Sequence, residues 1–160
     1  MKTSAILILA LTSIVAFSCK KESQPASAAD QLITSQKAIV TTNTWKVTLF
    51  TENGIDHSSD FNGYVFLFNS DGSVVVNNTI SGVSLTGMWN VKASNNSKSD
   101  DSGHHEGSDD KNKLVITITG SHLMDEISDD LDIVKISESE MWLADDNTTS
   151  PKEIHFTRIQ

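Results

Sequence analysis

From Thr44 onward, apolar and polar residues alternate with a period of two. Trp45, Val47 and Leu49 alternate with Lys46 and Thr48. Tyr64, Phe66 and Phe68 share one parity, with Val65 and Leu67 on the other. Val74 and Val76 follow, then Leu85, Gly87, Trp89 and Val91. Leu114, Ile116 and Ile118 alternate with Val115, Thr117 and Thr119. Further runs lie at 133–136, 141–144 and 154–159. Successive side chains of a strand point to opposite faces, so the pattern predicts strands with a buried face. β-Branched and aromatic residues fill these segments, and turn formers bound them. Asn53-Gly54 marks a turn after the first strand, and Asn69-Ser70-Asp71-Gly72 marks a tight hairpin after the second. The result is eight short strands in about 115 residues. Their connections are mostly short enough for antiparallel neighbours. No βαβ spacing occurs, so the expected class is all-β, either a barrel or a sandwich.

Two helical segments break this pattern. Asp30 is placed to cap a short N-terminal helix running to about Val40, with Ile33, Lys37 and Val40 as a thin stripe. Residues 121–130 predict one helical turn, with Leu123, Met124 and Ile127 closing one end of the sheet. Residues 93–113 form a 21-residue acidic excursion with no apolar residue after Ala93. A segment with nothing to bury is expected to be a disordered loop between the fourth and fifth strands.

The N-terminus carries an address. Residues 5–17 are 13 uncharged residues behind Lys2. A spanning helix needs roughly 20 apolar residues, so the run suits a signal peptide rather than an anchor. Ala16-Phe17-Ser18-Cys19 then places a small residue before the only cysteine. This resembles the lipobox of bacterial lipoproteins, although Phe17 stands where the stricter motif has a small residue. The resemblance implies cleavage before Cys19 and acylation of that residue. The competing reading is an ordinary secretory signal with a coincidental cysteine. A free thiol is unusual in a secreted chain, and several acyl chains anchor where one does not. The expected organisation is a signal peptide at 1–18, a lipidated flexible tether at 19–30 containing Pro25, and a domain at 31–160.

Composition narrows the function. Twelve basic residues face 21 acidic ones, a net charge of −9 over 160 residues. Cleavage before Cys19 leaves 11 basic residues and a net charge of −10. Such a surface repels phosphate and releases no counterions, which argues against nucleic acid. It is also repelled by anionic membranes, so a lipid at Cys19 would have to hold the protein there. One cysteine excludes an intrachain disulfide framework.

The motifs Asn43-Thr44-Trp45-Lys46-Val47, Phe66-Leu67-Phe68-Asn69-Ser70-Asp71-Gly72, Gly87-Met88-Trp89 and Ile154-His155-Phe156-Thr157-Arg158 occur in that order. Together they resemble the lipocalin-like domain of many bacterial lipoproteins, over about Thr44 to Arg158. The resemblance implies a small antiparallel up-and-down β-barrel of about eight strands and no enzymatic activity. Asn43 replaces the glycine of the family's Gly-x-Trp motif, and Leu131 stands where a further Trp often lies. The family's late Arg packs over the first Trp, which would bring Arg158 over Trp45 as a cation–π contact.

Candidate sites are few. Trp45 and Trp89 read either as core packing or, with Tyr64 and Phe66, as walls of a pocket for a small apolar ligand. An eight-stranded barrel is just wide enough to be filled or to hold one such ligand. No Gly-x-Ser-x-Gly, Walker, HExxH or CxxC motif is present. His57, His104, His105, His122 and His155 show no triad spacing, and His155 is expected to face solvent. His104, His105 and Glu106 are weak metal candidates in the acidic excursion, against the plainer reading of a solvated loop. Asp125, Glu126, Asp129, Asp130 and Asp132 form a second acidic run, expected to be a wet face able to attract a basic partner. No cofactor is called for. The expected function is a binding or interaction module, lipid-anchored in the cell envelope, with the outer membrane as its expected site. A filled barrel with a purely structural role is the alternative, and an envelope hydrolase or isomerase is the remoter one.

Overall fold

A computed structural model describes residues 26–93, 111–145, 147 and 149–159. The signal segment, Cys19 and the candidates His104, His105 and Glu106 lie outside the described residues.

The chain enters through helix α1, Ala28–Thr42. Its cap is Ser27, not Asp30. The Ser27 hydroxyl accepts from the Asp30 backbone N–H at 3.2 Å, and the Asp30 carboxylate accepts from the Ser27 N–H at 3.3 Å. This reciprocal box satisfies two orphan donors and starts the helix three residues earlier than expected. Residues 28–30 therefore belong to the helix rather than to the tether.

Nine strands are formed by the described residues: β1 Thr44–Glu52, β2 Ile55–Asp56, β3 Tyr64–Phe68, β4 Ser73–Asn78, β5 Ser84–Lys92, β6 Lys113–Ile118, β7 Asp130–Ile136, β8 Glu140–Ala144 and β9 Lys152–Arg158. Helix α2, His122–Ile127, separates β6 from β7. The sheet is antiparallel throughout, and β1 pairs with β9 as well as with β2 and β3. The sheet therefore closes into an eight-stranded up-and-down barrel, which decides between barrel and sandwich. Strand β2 lies outside the closed ring as a flap on β1. The Asn53-Gly54 turn makes this flap, because both residues have positive φ, 54° and 75°. Such backbone suits a two-residue hairpin.

The simple alternation fails in β1. The ladder with β9 shifts between Val47 and Leu49. A bulge adds one residue and reverses the facing of the residues after it. Phe50 consequently enters the core, fully buried, while Leu49 is only half-buried. A second shift between Ile133 and Lys135 leaves Val134 49% exposed in β7.

The interior is packed with side chains. Trp45, Phe66, Phe68, Leu114, Leu131, Met141, Leu143, Ile154 and Phe156 have no exposed surface. Aromatic rings meet edge to face, with Phe66–Phe156 centroids at 5.3 Å and Phe68–Trp89 at 5.5 Å. Val40 of α1 covers one mouth, while Met124 and Ile127 of α2 close the other end as expected. At Gly87 an added Cβ would lie 2.1 Å from the Thr117 carbonyl oxygen. This glycine lets β5 and β6 approach closely.

Two seams carry little ladder. β1 meets β3 through two residue pairs, and β6 meets β7 through three. A serine supplements each seam. Ser58, in a 3-10 turn, accepts from the Phe50 N–H at 2.9 Å. Ser128, just after α2, accepts from the Ile118 N–H at 2.9 Å.

Candidate functional site

The four aromatic candidates do not line one cavity. Trp45 and Phe66 are fully buried in the core, and Trp45 donates its indole N–H to the Val40 carbonyl at 2.9 Å. Tyr64 is half-buried at the opposite end, with its ring 6.4 Å from Phe61. Trp89 is 6% exposed and borders a surface cleft.

This cleft of about 270 Å³ lies between α1 and the β3–β4 turn. Thr34, Lys37, Ala38 and Thr41 form the helix wall. Ser70 and Gly72 form the turn wall, with Trp89 and Asn90 of β5 as the floor. It runs into a second groove of about 420 Å³ over the outer face of β5 and β6, where Asp71, Met88, Val115 and Thr117 join the lining. Local sequence builds each wall. Gly72 has φ 87° and closes the tight turn without a side chain to fill the cleft. The Trp89 indole N–H donates to the Asn69 carbonyl at 2.9 Å and holds the turn against β5. The Gly72 carbonyl accepts from the Trp89 backbone N–H at 2.8 Å. From the helix side, Gln36 accepts from the Asn112 side-chain amide at 2.7 Å, tying α1 to the start of β6.

Charge around the cleft is uneven. Lys37 is half-buried and has no ion-pair partner among the described residues. Asp71 lies on the outer groove, and its carboxylate accepts from the Ser73 hydroxyl at 2.7 Å and the Ser73 N–H at 2.9 Å. Those bonds, the hydroxyl's first, hold its carboxyl below the ordinary value of 3.8.

Arg158 does not cover Trp45. The two are ladder partners, but Arg158 is exposed and Trp45 is sealed beneath α1. A cation–π contact lies instead on the barrel's outer face, where the Lys135 ammonium sits 4.3 Å from the Trp142 ring centroid. His155 stacks on Trp142 with centroids at 4.5 Å and planes at 9°, and its Nε2 is 2.7 Å from a Glu153 oxygen. His155 thus points outward as expected, yet Trp142 half covers it. The alternation predicts its direction, but its cross-strand partner comes from register.

The second acidic run is partly neutralised within the chain. Asp129 pairs with Lys152 at 3.3 Å and Asp132 with Lys113 at 3.0 Å. His57 and His122 lie beside Asp60 and Glu126, at 3.7 and 3.5 Å. Among the described residues there is no grouping of three metal-ligating side chains, and no helix is long and apolar enough to cross a membrane. The cleft is not legible in the sequence, because Lys37 and Ser70 come together only when α1 folds over the barrel mouth.

Comparison with known proteins yields no match to this chain, whether against family models, curated proteins or solved structures.

Proposed function

We propose that this chain is a lipid-anchored cell-envelope module of lipocalin-like type that binds a small, largely apolar ligand at the rim of its barrel rather than inside it. The observation that carries the binding role is the cleft beside Trp89, bounded by a helix and a glycine turn that leave it open. Binding sites are typically concave and mostly apolar, with a few placed polar groups, and this cleft has that character. The anchoring role rests on the uncharged run before Cys19. A solidly packed interior favours a second reading, a structural lipoprotein with no ligand.

Two experiments test the proposal. Native mass spectrometry of the protein purified from its own host should reveal a bound small molecule, which Ser70→Trp should displace. A ligand-free spectrum with unchanged host fitness on Ser70→Trp would favour the structural reading. Cys19→Ala should release the body from the membrane fraction or leave it unprocessed. Membrane retention with a normally cleaved N-terminus would remove the anchor from the proposal.

A further inference from the structure

We infer that the cleft between α1 and the β3–β4 turn takes a small monocarboxylate with an apolar body, its carboxylate set against Lys37. This rests on the binding reading above and specifies its ligand class.

Lys37 is the starting point. Lys113 and Lys152 are side chains with little exposure, and each holds a carboxylate of this chain, Asp132 at 3.0 Å and Asp129 at 3.3 Å. Lys37 is half-buried in a protein of net charge −9 and holds none among the described residues, although it lines both the cleft and the adjoining groove. A hydrogen bond from an ammonium is stronger to a charged acceptor than to a neutral one. Ser70 and Asn90 border the same space, and their side chains make no hydrogen bond among the described residues. All three can donate. The threonines differ, because the Thr34 hydroxyl donates to the Asp30 carbonyl at 2.7 Å and the Thr41 hydroxyl to the Lys37 carbonyl at 3.0 Å. Their protons are committed, so the donor set that would meet an anion is Lys37, Ser70 and Asn90.

The remaining surface suits an apolar body. Ala38, Gly72 and Trp89 lie within the cleft, and Met88, 61% exposed, extends the apolar surface along the groove. Asp71 sets the limit on charge. Its carboxylate is held ionised by Ser73 on the outer groove, where a second negative group on the ligand would meet repulsion. The cleft therefore prefers one carboxylate to two.

The test uses the full-length chain in lipid nanodiscs and three probes on one scaffold: 3-phenylpropanoate, its neutral amide, and phenylsuccinate. Calorimetry reads the Kd, and the Trp89 indole N–H resonance reports the place. The monocarboxylate should bind about tenfold more tightly than the amide or the diacid. Lys37→Gln should weaken the monocarboxylate to the level of the amide and leave the amide unchanged. Ser70→Trp should abolish both. Equal affinity for acid and amide, or indifference to Lys37→Gln, would overturn the carboxylate inference while leaving a binding cleft. Absence of any Trp89 shift at millimolar concentration with all three probes would overturn the inference and the binding reading of this cleft together.

Discussion

The indole N–H of Trp45 donates to the carbonyl of Val40 at 2.9 Å, and both residues are fully buried. This bond joins the last turns of α1 to the first strand across the barrel mouth. It satisfies one of the helix's terminal carbonyls, which have no partner within the helix. It also fixes the helix wall of the cleft.

Trp45→Phe should therefore do more than remove ring volume. It leaves the Val40 carbonyl buried without its donor, a loss of about 1 to 3 kcal/mol before any packing cost. Thermal unfolding should show the lower stability. Amide exchange should show earlier opening of α1 than of the barrel strands. Uniform loss of protection across α1 and β5 would contradict this local role.

Gly87→Ala should destabilise sharply. The new methyl would lie 2.1 Å from the Thr117 carbonyl oxygen and 2.8 Å from the Ile118 Cα, both backbone atoms that cannot rotate away. Overpacking of this kind costs about 1 to 3 kcal/mol. Gly82→Ala is the control, with nothing within 4 Å of its added Cβ and only its φ of 75° to strain. Denaturant unfolding should rank Gly87→Ala as the more damaging change.

Ser128→Ala should open the β6–β7 seam. The hydroxyl accepts from the Ile118 N–H and lies 2.7 Å from the Met124 carbonyl, joining β6 to the end of α2. Exchange of the Ile118 amide should accelerate, while Leu114 and Ile116, within or beside the paired stretch, keep their protection. An unchanged Ile118 amide would show that the serine is not what protects it.

The cation–π contact belongs to Lys135 and Trp142, so a double-mutant cycle on that pair should show coupling of about 0.5 kcal/mol. The same cycle on Arg158 and Trp45 should show weaker coupling, because Arg158 is exposed while the ring of its ladder partner is fully buried.

Acid should reach the β3–β4 turn only late. Asp71 has its carboxyl lowered by the Ser73 hydroxyl and then the Ser73 N–H. A lowered carboxylate stabilises the folded turn above its unfolded pKa, and that contribution is lost as pH falls through the folded pKa. The window therefore lies at and below the ordinary value of 3.8. An NMR titration of the Asp71 carboxyl should give a midpoint under that value, and Ser73→Ala should raise it.

What the sequence determined by itself was the class of structure. Alternation in residues such as Phe66, Phe68, Ile116 and Ile118 follows from strand geometry, which has a period of two in any sheet, so the inward faces could be read directly. The Asn69–Gly72 turn and the closing role of Met124 and Ile127 were legible for the same local reasons. Ser27 and Asp30 are both capping residues, so the local sequence does not distinguish them, and only the reciprocal bonds make Ser27 the cap. The bulge between Val47 and Leu49 was hidden because it depends on pairing with β9, more than a hundred residues away. Closure through β1 and β9, the stack of His155 on Trp142, and the meeting of Lys37 with Ser70 and Trp89 are likewise relations between distant segments. Tertiary structure alone decided them, since a local pattern specifies which way a side chain faces but not what faces it.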